Sequence, residues 1–136
     1  MTAERQAFPA RTDAWPQVSA FIEQRCEALG VAHPSMLLLL LLAEELFINT
    51  VVHGYGNDER QRVRLAVRDC GSEVELVAED NAREFNPFEG LPSDAPEERL
   101  GGYGRLLLVG LSSRQSYQRD GSLNRVTVGI AKQRPQ

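Results

Sequence analysis

Only two cysteines occur in the chain, Cys26 and Cys70, and neither belongs to a C-x-x-C pair or a Cys/His cluster. That excludes a disulfide scaffold and a thiolate zinc site, and leaves two reduced thiols as the reading. A basic surplus is also missing: 15 Lys and Arg stand against 19 Asp and Glu, for a formal net charge of -4. Nucleic acids and anionic membranes reward a basic surface, so neither is an expected partner, although a local basic pocket for a small anion stays open. The apolar run at 36–43 is far shorter than the roughly 20 residues of a membrane helix, and it stops at Glu44 and Glu45. The first ten residues hold Glu4, Arg5 and Pro9 without an apolar core, so no signal peptide is expected and the setting is cytoplasmic. Internal repeats, low-complexity tracts and a second domain are absent from the pattern.

What is there suits one globular domain over residues 1–136, with 42 % hydrophobic and 25 % charged residues. A short edge strand fits 2–9, ending at Pro9. Thr12 or Asp13 can cap a helix over 14–29, where Trp15, Val18, Phe21, Ile22 and Cys26 recur with partial helical spacing and Gly30 is a natural stop. Pro34 and Ser35 open a second helix reaching about His53, apolar on nearly every face at first and amphipathic from Glu44 onward. Charged and apolar residues alternate over 62–68 and again over 73–79, with a turn at 69–72 between them. A long irregular stretch follows at 81–100, the kind of segment that serves as a binding loop or lid. Gly101-Gly102-Tyr103-Gly104 then leads into a short helix near 105–111. Two strands near 113–119 and 123–131 flank Asp120-Gly121, a hairpin signal. This order predicts an α+β fold: a two-layer sandwich with helices on one face of a mixed, mostly antiparallel sheet.

Three stations along the chain can build one site. Glu45 and Asn49 lie one helical turn apart, with His53 a further turn on. Asn49 offers a neutral oxygen to a hard cation such as Mg²⁺, and Glu45 can orient or deprotonate an attacking hydroxyl. The plain alternative is a polar stripe on an amphipathic helix. Asp80 ends the strand over 73–79, where a carboxylate can accept from an exocyclic amine such as that of adenine. Its plain alternative is an Asp that starts a turn. Gly101, Gly102 and Gly104 allow backbone N–H groups to approach phosphates ahead of a helix N-terminus, where Arg105 is unfavourable for the dipole unless an anion is near. A flexible glycine turn is the alternative there.

Taken in order, these residues resemble a known family. Glu45-Leu-Phe-Ile-Asn49-Thr-Val-Val-His53-Gly-Tyr55 is similar to the N box of the GHKL ATPase superfamily, most closely that of the anti-sigma-factor serine kinases. Asp80-Asn-Ala82-Arg-Glu-Phe85-Asn-Pro87 resembles their adenine box, with Ala82 where the family usually has glycine. Gly101-Gly102-Tyr103-Gly104-Arg105 resembles their glycine-rich phosphate box, with Arg105 where an apolar residue is common, and Tyr117 and Asn124-Arg-Val-Thr-Val resemble their final hairpin. The resemblance implies a histidine-kinase-like ATPase fold that binds ATP and Mg²⁺. Asn49 would hold the metal, Glu45 would be the general base and Asp80 would contact adenine. His53, Ala82, Phe85, Gly101, Gly102, Tyr103, Gly104 and Arg105 would complete the nucleotide site, under a lid at about 86–100.

The same resemblance implies two protein partners, a sigma factor and a STAS-type anti-anti-sigma protein whose serine accepts the γ-phosphate, and it suggests a homodimer. Phosphorylation would switch partners by adding charge to the docking surface. No phosphoacceptor helix pair, sensor or membrane segment accompanies the motifs, so a complete histidine kinase is not expected, nor are the transducer domains of gyrase-like ATPases. Two other functions stay open on the residues: an anti-sigma-like binding module with little or no nucleotide affinity, and an ATP-gated switch without phosphotransfer.

Overall fold

The computed structural model describes residues 5–89 and 110–133. Five strands form one antiparallel sheet in the order β1-β2-β3-β5-β4. They are β1 (Gln6–Pro9), β2 (Arg62–Cys70), β3 (Glu73–Asp80), β4 (Arg114–Asp120) and β5 (Leu123–Ala131). Two tight turns set the register: Cys70 pairs with Glu73 across Gly71, and Asp120 pairs with Leu123 across Gly121. Both glycines have positive φ, which other residues reach only with strain. Two helices, α1 (Trp15–Ala28) and α2 (His33–Asn49), cover one face. The expected two-layer α+β architecture is therefore what the chain adopts, with every described strand pair antiparallel.

Period-two alternation decides which side chains meet the helices. Val63, Leu65 and Val67 of β2, Val74, Leu76 and Ala78 of β3, and Val126, Val128 and Ile130 of β5 point to the helical layer. There they meet Val18 and Ile22 of α1 and Leu39, Leu42, Leu46 and Phe47 of α2. Phe8 adds an edge-on contact to Phe21. The central strand β3 departs from half-burial, because its opposite face is covered too: Val77 is buried, and so are Glu75 and Glu79. Those carboxylates are paired, Glu75 with Arg68 and Arg114, Glu79 with Arg5 and Arg125. Pairing is what allows charges to sit there.

Two expectations about the helices change. Neither Thr12 nor Asp13 caps α1. They form a 3-10 turn, Thr12–Ala14, in which the Asp13 carboxylate is held by Arg11 instead, and Pro16 starts the helix. Nor does α2 run on as a regular helix: it passes at Asn49 into a π-turn, Thr50–Gly54. Counted together, His33–Gly54 is long and apolar enough to cross a membrane. Leu39, Leu42, Ala43, Leu46 and Phe47 are nevertheless buried against the sheet and α1, which makes this the core helix of the fold. Of the short helix expected near 105–111, Gly110 and Leu111 are described and helical, and the rest lies outside the described residues.

Candidate active site

The inward face of α2 is apolar, and its flank carries the polar pair. Asn49 and Glu45 are both half-buried, and Asn49 Nδ2 donates to Glu45 Oε2 at 2.5 Å. Spending an N–H on the carboxylate leaves the amide oxygen as the atom Asn49 can offer a cation. Just beyond, the Tyr55 N–H bonds Thr50 O at 2.8 Å, an i→i+5 closure. Such a turn takes in one residue more than an α-turn. Gly54 lines the cavity beside Asn49 and Thr50, whereas His53 is exposed and is not among the residues that line it.

The second wall is the end of β3. Asp80 is 6 % exposed, and its two oxygens have different surroundings. Oδ1 accepts from the Ala82 N–H and from Asn124 Nδ2, each at 2.9 Å. Among the described residues, Oδ2 accepts one long contact, 3.5 Å, from Thr50 Oγ1. Tyr55 ties this strand end to the helix: its hydroxyl accepts from the Asn81 N–H at 2.7 Å and donates to Arg62 O at 2.9 Å. Burial pushes the Tyr55 phenol above its usual range, so it stays a neutral donor at physiological pH.

Between these walls lies a cavity of about 30 Å³. Leu46, Asn49, Thr50 and Gly54 line it from the helix, and Asp80, Ala82 and Phe85 from the strand end and the loop after it. Asn124 and Val126 of β5 form its floor. Asn49, Asp80, Ala82 and Phe85 thus share one pocket, while Glu45 flanks it through Asn49. Gly101, Gly102, Tyr103, Gly104 and Arg105, and most of the lid expected at 86–100, lie outside the described residues. Ala82 needs no glycine in its place, because Asn57 is the one residue other than glycine with positive φ among the described residues.

Sequence reasoning passed over Thr50, Gly54 and Asn124 as site residues. The signal for Asn124 was available: alternation in β5 puts it on the inward face with Val126, Val128 and Ile130, where a polar side chain must find partners. The π-turn left no such signal.

The profile of the histidine kinase-like ATPase domain matches residues 8–130. The chain belongs to the histidine kinase-like ATPase family. No curated protein matches it. Among solved structures, this ATPase-like domain is similar to a Mycobacterium tuberculosis protein seen as its RsbU and RsbW domains, with TM-score 0.69, 16 % identity, and coverage of 96 % of this chain and 32 % of that one. It is also similar to a blue-light activated histidine kinase of Erythrobacter litoralis, with TM-score 0.56, 22 % identity, and coverage of 74 % and 31 %. The separate histidine kinase domain of that protein gives TM-score 0.54 at 19 % identity, over 91 % of this chain and 61 % of its own. Identities this low establish the shared fold. The chain spans about a third of the first two relatives.

Proposed function

We propose that the protein binds Mg-ATP in this pocket and passes the γ-phosphoryl group to a serine hydroxyl of a regulatory protein partner. The observation that carries the reading is that Asn49 and Asp80, 31 positions apart in sequence, line one cavity, with Glu45 hydrogen-bonded to Asn49. Adenine would lie against Asp80, its exocyclic amine donating to Oδ2, the oxygen with one long contact among the described residues. Asn49 suits Mg²⁺, a hard cation that takes one or two protein oxygens and leaves its other positions to phosphates and water. The metal, when bound, would neutralise charge on the phosphates.

Glu45 then acts on the acceptor. Its carboxylate takes the serine proton as the serine oxygen attacks the γ-phosphorus, and the bond to the β-phosphate bridging oxygen breaks to release ADP. Asn49 holds Glu45 in position, so metal binding and base orientation are coupled through one hydrogen bond. The wider reading is partner switching in the cytoplasm, by a homodimer that grips a sigma factor and phosphorylates a STAS-type antagonist. The RsbW domain in the Mycobacterium tuberculosis relative supports it.

Melting with and without Mg-ATP tests the binding. A ligand that binds only the folded state adds about 2.7 kcal/mol at a hundredfold excess over its dissociation constant, and Asn49→Ala should lose most of that gain. Glu45→Ala should keep nucleotide binding and lose transfer to a serine-bearing partner; transfer that survives removes Glu45 from the role. One observation favours a second reading, a protein-binding module without nucleotide. The cavity is small, and Phe85, an aromatic side chain 39 % exposed at its wall, could serve a protein contact instead. No melting shift in the wild type selects that reading.

A further inference from the structure

Asn124 is among the most fully engaged side chains in the fold. It is 3 % exposed, and its amide nitrogen donates to Asp80 Oδ1 at 2.9 Å, to Arg83 O at 3.0 Å and to Ala82 O at 3.2 Å. Its oxygen accepts from the Tyr117 hydroxyl at 2.5 Å and from Arg119 Nη1 at 3.1 Å. The Arg119 guanidinium, which can only donate, fixes which way the amide faces, because a flipped amide would set N–H against N–H. Arg119 Nη1 also donates to Ala82 O at 2.9 Å, and Arg119 Nε to Gly121 O at 2.8 Å. The β4–β5 hairpin is therefore braced against the loop that follows Asp80.

The consequence falls on one carboxylate. Asp80 Oδ1 is occupied twice, by the Asn124 amide and the Ala82 N–H, while Oδ2 has, among the described residues, one 3.5 Å contact, from Thr50, which lines the cavity together with Asp80. A carboxylate held by one oxygen cannot turn about its Cβ–Cγ bond without breaking two buried hydrogen bonds. We infer that Asn124 is a positioning residue that holds the Asp80 carboxylate with Oδ2 facing the ligand, and so sets selectivity for a purine bearing a 6-amino donor. The inference rests on the Mg-ATP reading. It goes further in assigning selectivity to Asn124 on the cavity floor, acting through Asp80.

The test compares ATP with purine riboside triphosphate, which lacks the 6-amino group, by calorimetric titration in the presence of Mg²⁺. Wild type should bind ATP about tenfold more tightly, the effect of one hydrogen bond to a charged group. In Asn124→Leu the ATP affinity should fall about tenfold further than that of the analogue, so the ratio collapses. A merely structural role would weaken both nucleotides alike and leave the ratio standing, and that result overturns the inference. If Asn124→Leu fails to fold, Tyr117→Phe decides. It removes the hydroxyl hydrogen-bonded to the Asn124 amide oxygen and should lower the ratio about threefold. An unchanged ratio in Tyr117→Phe then overturns the inference. A wild type that binds neither nucleotide overturns the Mg-ATP reading itself, and this one with it.

Discussion

The methyl group of Ala82 faces Gly54 so closely that a β-carbon placed on Gly54 would lie 3.1 Å from it. The two residues come from different walls of the cavity, the π-turn and the loop after β3. Little slack is left on the Ala82 side. Its N–H is held by Asp80, and its carbonyl oxygen by Arg119 and Asn124. The absence of a side chain at Gly54 is what leaves room for the Ala82 methyl group.

Gly54→Ala should therefore lower stability, although alanine is the better helix former by about 1 kcal/mol. Overpacking against a pinned neighbour costs about 1–3 kcal/mol and should win. In an Ala82→Gly background the clash is gone, so the same change should be neutral or stabilising. Denaturation midpoints of the four proteins close a double-mutant cycle, and a coupling above about 0.5 kcal/mol is expected for residues in contact. Strict additivity would show that the two side chains do not constrain each other.

Much of this fold could be read from periodicity. The strands over 62–68, 73–79 and 123–131 alternate clearly, and Gly71 and Gly121 mark their turns, so each element is found close to its expected position. The cap of α1 was not legible, because Asp13 has two possible partners and Arg11, two residues before it, takes the carboxylate. The π-turn was equally hidden, since Thr50-Val-Val-His53 continues the helical pattern and an extra residue in a turn leaves no mark on spacing. Gly54 lines the cavity and His53 does not. Asn49 and Asp80 were legible as chemistry, but their meeting depends on β3 lying beside α2, a long-range fact. Asn124 needed the register: only its pairing opposite Asp80 shows what its amide is for.

The two thiols should separate cleanly. Cys26 is fully buried in the core, and burial pushes its thiol up to about 11, whereas Cys70 is exposed at the end of β2. Thiolate is the reactive species, so a thiol reagent at neutral pH should label one site per chain in the native protein and both in denaturant. Mass mapping should find the native label on Cys70. Rapid native labelling of Cys26 would mean that α1 detaches from the sheet.

Tyr55→Phe tests the tie between the π-turn and the strand end at Asp80. Its hydroxyl joins the Asn81 N–H to Arg62 O, directly beside Asp80. Water can replace part of these bonds at a half-buried site, so the expected loss is about 1 kcal/mol in the denaturation midpoint. Hydrogen exchange adds a local check: the Asn81 amide should lose protection more than amides in the centre of β3. Unchanged protection there would show that the tie is not needed to hold the strand end.

Acid should loosen the face of the sheet opposite the helices, with Glu75 as a principal sensor. Burial alone would raise its pKa, but Arg68 at 2.6 Å and Arg114 at 2.7 Å outweigh that and hold it below the ordinary 4.5. Arg114 reaches Glu75 by crossing the backbone at Gly129, where a β-carbon would stand 3.2 Å from its guanidinium. A carboxyl whose pKa is lower folded than unfolded binds fewer protons in the native state, so its stabilisation is complete above about pH 4.5 and is lost as pH falls through the native value. Asp58, Asp69 and Glu73 are shifted the same way by their own partners, so wild-type stability should decline steadily below that point. Glu75→Gln should start lower at pH 7 and decline less steeply from pH 4.5 to 3, read as urea midpoints at each pH. Parallel curves for the two proteins would mean that the ion pairs around Glu75 add nothing to stability, and that the acid response belongs to the other carboxylates.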